Sequence, residues 1–134
     1  MAETFDLEIA TPERLLVREQ VSEADIPLAN GYIGVRPQHA PLLGELGADD
    51  LTYVAEGRRR HMAVSGGWVE VLDDHVRVVA DKAEKADEID AARAEESRKR
   101  ALDRLSHPAE DLDVARALYA LKRAQARLDA VSKK

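Results

Sequence analysis

Arginines in the C-terminal third of the chain are the side chains whose spacing could do chemistry. Arg93 and Arg100 are seven residues apart, so on a helix they would share one face. Arg116, Arg123 and Arg127 would share a face of a second helix in the same way. If the two faces met, they would form a groove suited to a polyphosphate, because guanidinium groups bind phosphate oxygens in bidentate pairs.

The same region also carries the charge pattern of an ordinary solvated helix surface. Glu95 precedes Lys99 by four residues, and Glu96 precedes Arg100 by four, which is the favourable order for exposed ion pairs. Spacing alone therefore favours two solvated faces over a phosphate groove.

No residue pattern in the sequence predicts catalysis or a metal centre. The four histidines lie far apart, without a cysteine or a second histidine at ligand spacing. The carboxylate pairs at 49–50 and 73–74 are typical of turns, and Ser65-Gly66-Gly67 lacks the spacing of a nucleophile elbow. We therefore predict that the chain is not an enzyme. The histidines are His39, His61, His75 and His107.

Composition excludes several classes of partner. Of 134 residues, 26 are acidic and 20 are basic, and the net charge of −6 disfavours binding to nucleic acid through phosphate neutralisation. The sequence has no cysteine for a disulfide or a zinc site. Its first residues have no signal-peptide pattern, and no window approaches the ~18 uninterrupted apolar residues of a membrane span. We therefore expect neither a signal peptide nor a membrane-spanning segment.

The first part of the chain has the pattern of β-strands. Phe5, Leu7 and Ile9 alternate with acidic residues, which is the two-residue period of a half-buried strand. The alternation returns in four more segments, and the segment 31–46 is predicted to be a rigid loop between strands. The apolar flanks of Trp68 predict that its side chain packs inside the resulting sandwich. The four segments are 24–28, 51–55, 69–71 and 76–80.

After Lys82 the apolar period becomes helical. A break at 106–108 divides this region, so two helices of about 18 and 21 residues are predicted to form a hairpin, with Asp87 and Asp111 as N-caps. The second helix has a continuous apolar row, but the facing row on the first helix consists mostly of small residues, so we expect the hairpin to be marginal and easily opened. The rows are Ala91, Ala94, Arg98, Ala101 and Leu105 on the first helix and Val114, Ala117, Leu121, Ala124, Leu128 and Val131 on the second.

The predicted fold class is α+β with two domains. An N-terminal antiparallel β-sandwich is assigned to residues 1–82, and a C-terminal α-helical hairpin to residues 83–134. All seven glycines and four of the five prolines precede residue 83, which supports a change of architecture there.

Four segments in combination resemble the epsilon subunit family of the F-type ATP synthases. Their order and spacing fit that family, as does the total length, and the resemblance covers nearly the whole chain. It implies a β-sandwich followed by a helical hairpin, as the two periods also predict. Two residues depart from the family pattern, since Gln38 replaces a usual glycine and Tyr32 replaces a common acidic residue. The four segments are 11–14, 31–46, 64–71 and 76–84.

The resemblance implies a non-catalytic rotor subunit of the proton-translocating ATP synthase. In this family the sandwich binds the gamma subunit and lies on the c-ring, and the helices inhibit ATP hydrolysis when they extend into the alpha/beta headpiece. Membrane association is implied only through the complex, at the cytoplasmic face of the bacterial inner membrane. The c-ring contact is carried over to Tyr32, Arg36 and His39, with Pro37, Ala40 and Pro41 beside them.

The helical part also resembles the ATP-binding pattern of that family, in the run Ile89-Asp90-Ala91-Ala92-Arg93-Ala94. ATP is therefore implied as a regulatory ligand, with no cofactor required. The implied inhibitory contact uses Lys122, Arg123 and Arg127. The implied ATP-binding residues are Ile89, Asp90, Arg93, Ala94, Arg100, Arg123 and Arg127.

Two other interpretations of the sequence remain open at this point. One is a stand-alone nucleotide-sensing module, built from a β-sandwich and a helical hairpin, without a rotor role. The other is a β-sandwich scaffold whose hairpin docks on a different helical partner.

Overall fold

The computed structural model describes residues 3–133. Met1 and Lys134, the outer limits of the two predicted domains, lie outside the described residues. Eight strands precede a 3-10 turn at Ala86–Glu88 and two α-helices within the described part. The elements are β1 (Phe5–Ala10), β2 (Leu15–Val21), β3 (Glu23–Leu28), β4 (Gly31–Val35), β5 (Leu42–Glu45), β6 (Ala48–Ala55), β7 (Arg58–Leu72), β8 (His75–Lys85), α1 (Ala91–Ser106) and α2 (Val114–Lys133).

The strands form a sandwich whose two layers share the long strands β7 and β8. The strand order is β2-β1-β8-β7-β6-β3-β4, with β5 paired to the second half of β7. We call the side with β1, β2 and β5 the β1 layer, and the side with β3, β4 and β6 the β6 layer. The predicted sandwich is confirmed, although β1 and β8 pair in parallel while the other described pairs are antiparallel.

Gly66 and Gly67 bend β7 where it passes from one layer to the other. Both have positive φ angles, of 70° and 115°, which favour glycine. A Cβ atom on Gly67 would lie 1.9 Å from the carbonyl oxygen of Val79, so no other residue fits this position without a backbone shift. The bend therefore depends on these two glycines.

The bend also exchanges the faces of β7. Met62 and Val64 point into the core before it, whereas Val69 and Val71 do so after it. Trp68 consequently points outward and is 57% exposed. The prediction that Trp68 packs inside the sandwich is wrong, because the apolar flanks on either side of Trp68 are themselves the inward-facing residues.

The core confirms the strands that the alternation predicted. Phe5, Leu7 and Ile9 are almost fully buried, as are the inward residues of β3, β6, β7 and β8. The segment predicted as one rigid loop instead contains β4 and β5, and only residues 36–41 between them are irregular. Strand β4 lies at an edge of the sheet with most of its residues exposed, so it has no apolar period to detect.

Both helices begin later than predicted. Strand β8 continues to Lys85, and Asp87 belongs to the 3-10 turn that follows, so Asp90 is the N-cap of α1 and accepts a hydrogen bond from the Arg93 amide at 3.1 Å. On α2 the carboxylate of Asp113, not that of Asp111, accepts from the amide of Arg116 at 3.0 Å. The predicted caps were wrong because other carboxylates lie closer to the true helix starts. The predicted division after residue 82 falls inside β8.

The two helices pair as a hairpin, and α2 packs across the outer face of the β6 layer. Small side chains make this contact, since Ala126 and Ala130 meet Ala63 of β7 and Ala86 of the 3-10 turn. Alanine buries little apolar surface, and each Å² removed from water stabilises the contact by only about 25 cal/mol. The hairpin is therefore docked on the sandwich by a thin apolar contact.

Candidate functional site

A basic cleft of about 460 Å³ lies where α1, α2 and the β6 layer meet. Each of the three elements contributes polar side chains to it, so the cleft exists only when the hairpin is docked. Six of the lining side chains are basic and one is acidic. The charged lining consists of Lys82, Glu84, Arg93, Arg100, Arg104, Arg123 and Arg127, and the hydroxyl side chains are Ser65 and Ser97.

Helical geometry brings together the arginines that the spacing predicted. Arg93 and Arg100 lie two turns apart on α1, and Arg123 and Arg127 lie one turn apart on α2, and all four line the cleft. Arg116 does not line it, because it stands in the exposed first turn of α2. The structure thus favours a shared groove over two separate solvated faces.

The cations of the cleft are largely unpaired. Among residues 3–133, no carboxylate oxygen lies within 4.0 Å of the charged groups of Lys82, Arg93, Arg100, Arg104 or Arg123. Glu84 is the one acidic lining residue, and its Oε1 lies 2.8 Å from Nε of Arg127. That buried Nε atom makes no hydrogen bond. Like charges collected without counterions favour an anionic ligand with several charges.

Two of these arginines are held in place by neighbours on their own helix. The guanidinium of Arg123 lies over the ring of Tyr119, 5.2 Å from its centroid. An Nη2 hydrogen of Arg100 is donated to Oγ of Ser97 across 3.1 Å. Neither contact neutralises the charge, so both guanidinium groups stay available to phosphate oxygens.

The remaining residues of the ATP-binding pattern lie outside the cleft lining. The carboxylate of Asp90 caps α1, and Ile89 packs against the alanines of the sandwich contact. Ala94 is fully buried. These residues fix where α1 begins and how closely it packs, and so they position Arg93. Lys122, assigned to the inhibitory contact, is exposed on α2 and does not line the cleft.

Five polar lining residues were not predicted from the sequence, namely Ser65, Lys82, Glu84, Ser97 and Arg104. Arg104 continues the row of Arg93 and Arg100 at helical spacing, so the period could have found it. Lys82 and Ser65 come from β8 and β7, and no local pattern connects strands with a helix pair. Their membership of the cleft follows only from the docking of the hairpin.

The residues assigned to a c-ring contact lie on β4 and the loop after it. The hydroxyl of Tyr32 donates to the carbonyl oxygen of Asp50 at 2.8 Å, and burial raises the pKa of Tyr32. Nη2 of Arg36 pairs with Oε2 of Glu23 at 3.0 Å. His39 donates from Nδ1 to the carbonyl oxygen of Ala40 at 2.7 Å.

Gln38 stands in this loop with a left-handed backbone. Its φ of 65° is the conformation that glycine adopts without cost, which explains why glycine is usual there in the family that the sequence resembles. The amide of Gln38 donates to Oδ1 of Asp74 at 2.6 Å, so the turn between β7 and β8 holds the loop. The departure from glycine therefore leaves the loop geometry intact.

An ion pair joins the sandwich to the chain that leads into α1. Nη1 and Nη2 of Arg14 lie 2.9 and 3.0 Å from the two carboxylate oxygens of Glu88. Glu88 also accepts from the backbone amide of Lys85 at 3.1 Å. The hydrogen bond from Arg14 is the main cause that lowers the pKa of Glu88. This bidentate pair holds the linker against the turn between β1 and β2.

Within residues 3–133, neither helix has the length and apolar character needed to cross a bilayer.

Two family models match the chain, and together they cover residues 4–132. The first, described as the beta-sandwich domain of the ATP synthase delta/epsilon chain, matches residues 4–86. The second, described as the long alpha-helix domain of the same chain, matches residues 87–132. The boundary between the two models coincides with the 3-10 turn after β8.

Similar proteins and structures agree with these models. The ATP synthase epsilon chain of Solibacter usitatus is 54% identical over 134 residues, which is 100% of both chains. That of Koribacter versatilis is 45% identical, covering 78% of this chain and 74% of the relative. A chain of the Euglena gracilis mitochondrial ATP synthase, in a structure of OSCP, F1 and c-ring, matches with a TM-score of 0.81 at 23% identity, covering 95% of this chain and 80% of that one. At that identity the structural match shows the fold.

Proposed function

The chain belongs to the ATP synthase epsilon-chain family, and we propose that ATP bound in its basic cleft controls whether the helical hairpin inhibits ATP hydrolysis. As an epsilon subunit it is a non-catalytic component of the ATP synthase. The cleft supports a regulatory ligand site, and the thin docking contact supports a hairpin with two positions.

The observation that carries the ATP proposal is the set of unpaired cations around one cleft. Five basic side chains from α1, α2 and β8 lack a carboxylate partner among the described residues, and Arg127 has only Glu84. A triphosphate supplies several anionic oxygens, which guanidinium forks bind in bidentate pairs. Since the cations come from two helices and a strand, ATP binds the docked hairpin and not an extended one.

The inhibitory position requires the hairpin to leave the sandwich and extend. Helices of 16 and 20 residues, at about 1.5 Å per residue, would reach about 54 Å when placed end to end. That length suits a contact with the alpha/beta headpiece beside the central shaft. Of the basic residues assigned to this contact, Arg123 and Arg127 lie in the cleft when the hairpin is docked. ATP and the headpiece would therefore compete for the same two arginines.

The gamma subunit is the proposed partner of the outer face of the β1 layer. The helices cover the β6 layer and leave this face open. An apolar row crosses it, because Leu15 pairs with Ala10, Ala10 with Val79, and Val79 with Trp68 on neighbouring strands. Leu15, Val79 and Trp68 are each exposed by more than two-fifths. An apolar row of this kind is typical of a protein interface.

The c-ring is the proposed partner of β4 and the loop after it, through Tyr32, Arg36 and His39. Each of these side chains makes a local hydrogen bond or ion pair that fixes its orientation. Membrane association then follows from the complex alone, at the cytoplasmic face of the bacterial inner membrane. The alternative of a stand-alone nucleotide sensor predicts the same cleft but no stable association with gamma.

The ATP proposal is tested by titrating ATP into the full chain and measuring heat. We expect the Arg93→Ala and Arg127→Ala double variant to lose most of the ATP affinity, whereas Arg116→Ala, an arginine outside the cleft, keeps it. Equal affinity in the double variant and in Arg116→Ala would refute the site. Inhibition is tested by deleting residues 87–134, which should raise ATP hydrolysis by the assembled complex. Unchanged hydrolysis would refute the inhibitory role.

A further inference from the structure

We propose that the sandwich itself binds the nucleotide phosphates through Lys82 and Ser65, so that the ligand clamps the hairpin onto the sandwich. The inference rests on the proposed ATP site, and it adds phosphate contacts from the sandwich to those from α1 and α2. A site made by the two helices alone would stabilise the hairpin, but it would leave the hairpin free to undock as a unit.

Lys82 and Ser65 are direct cross-strand partners on β8 and β7. They lie on the outer face of the β6 layer, just before the bend at Gly66, and both line the cleft. Lys82 is exposed and has no carboxylate within 4.0 Å among the described residues. Ser65 is only 5% exposed, and it lines the cleft beside Lys82. A cation without a nearby carboxylate and a hydroxyl donor thus stand side by side in the lining of the cleft.

The position of Glu84 gives Lys82 a further role. Glu84 lies two residues along β8 on the same face, and it would repel a phosphate that binds Arg127 beside it. Lys82 places a compact, flexible positive charge on the same face of β8 as that carboxylate. It therefore offsets the repulsion on the sandwich side of the cleft, where no arginine among residues 3–133 lines it.

The clamp follows from the elements that the ligand would join. The arginines belong to α1 and α2, whereas Lys82 and Ser65 belong to the sandwich. Without a ligand, the two parts are joined mainly by the small alanine contact and by the pair of Arg127 with Glu84. A ligand that contacts both sides has no equivalent site in the undocked protein. It therefore shifts the equilibrium towards docking by its full difference in affinity for the two states.

The test compares binding of ATP and of inorganic tripolyphosphate to the full chain and its variants. We expect Lys82→Ala to weaken both ligands by about tenfold, as expected for one charge-assisted phosphate contact, and Ser65→Ala to weaken both by about threefold. Lys85→Ala, the matched control on the same strand, should bind both ligands as the unmodified chain does, because Lys85 does not line the cleft. A weaker affinity for ATP with unchanged affinity for tripolyphosphate would overturn the phosphate role.

Hydrogen exchange measures the clamp directly. Saturating ATP should slow exchange at the α2 amides over Ala126–Ala130 and at the facing strand β6, and Lys82→Ala should lose most of this protection at saturation. If Lys82→Ala binds and protects as Lys85→Ala does, while Arg93→Ala with Arg127→Ala abolishes binding, the clamp is overturned and the ATP site stands. If the unmodified chain binds neither ligand, both proposals fail.

Discussion

Replacing Ala130 with leucine should undock the hairpin without unfolding the sandwich. Ala130 has no exposed surface and packs with Ala126 against Ala63 and Ala86. An isobutyl group in place of its methyl cannot fit between α2 and the sheet unless the two move apart. Overpacking of a closed contact costs about 1–3 kcal/mol.

A cost of about 2 kcal/mol would lower the ratio of docked to undocked hairpin by about thirtyfold. Hydrogen exchange at α2 reports this ratio, because amides of an undocked helix exchange through local opening. We therefore expect exchange in α2 to quicken by about thirtyfold, while exchange in β1 and β8 stays the same. In the assembled ATP synthase, the same variant should inhibit ATP hydrolysis more strongly.

Ala115→Leu is the matched control, since Ala115 is exposed on the same helix. It should leave both exchange and hydrolysis unchanged. The reasoning is refuted if Ala130→Leu and Ala115→Leu give the same exchange in α2. Quicker exchange in β1 and β8 as well would show that the alanine contact supports the whole fold and is not a separable docking surface.

Further predictions concern the sandwich and its linker. Val69→Ala should lower the free energy of unfolding by about 2 kcal/mol and the Tm by about 8 °C, because Val69 is fully buried. Trp68→Ala, at an exposed position, should change the free energy of unfolding by less than about 0.5 kcal/mol and should instead reduce co-purification with gamma. Gly67→Ala should lower the Tm at least as far as Val69→Ala, since its Cβ meets a backbone carbonyl. Arg14 lowers the pKa of Glu88 below its ordinary 4.5, so the stability from this pair is present above pH 4.5 and is lost as the pH falls through the lower folded-state pKa. In Glu88→Gln, the Tm should fall less than in the unmodified chain as the pH is lowered below 4.5. An equal fall of the Tm in both proteins would contradict the pairing of Arg14 with Glu88.

The strands that the sequence predicted are those with one face in the core. Phe5, Leu7 and Ile9 alternate because the sheet gives every second residue the same environment. The predicted burial of Trp68 was wrong because the bend at Gly66 and Gly67 exchanges the faces of β7, and a local period cannot show such an exchange. Edge strand β4 was missed because both of its faces are largely exposed.

The candidate site could likewise be predicted only in the parts that depend on local backbone geometry. Arg93, Arg100, Arg123 and Arg127 could be predicted as two faces, since helical spacing is set by the backbone alone. That these faces meet depends on the pairing of α1 with α2, which spacing does not determine. Lys82 enters only because α2 docks across the β6 layer, and that contact is made by alanines with little sequence signal.

The most direct test of the central claim measures the position of the hairpin in the assembled ATP synthase as ATP is added. The chain has no cysteine, so single cysteines in place of the exposed Glu19 on the sandwich and Gln125 on α2 can carry a pair of fluorescent labels. A regulatory ATP site predicts that ATP raises the fraction with the short, docked distance, and that the Arg93→Ala and Arg127→Ala double variant shows no such rise. A distribution of distances that does not change with ATP in the labelled parent chain would contradict it.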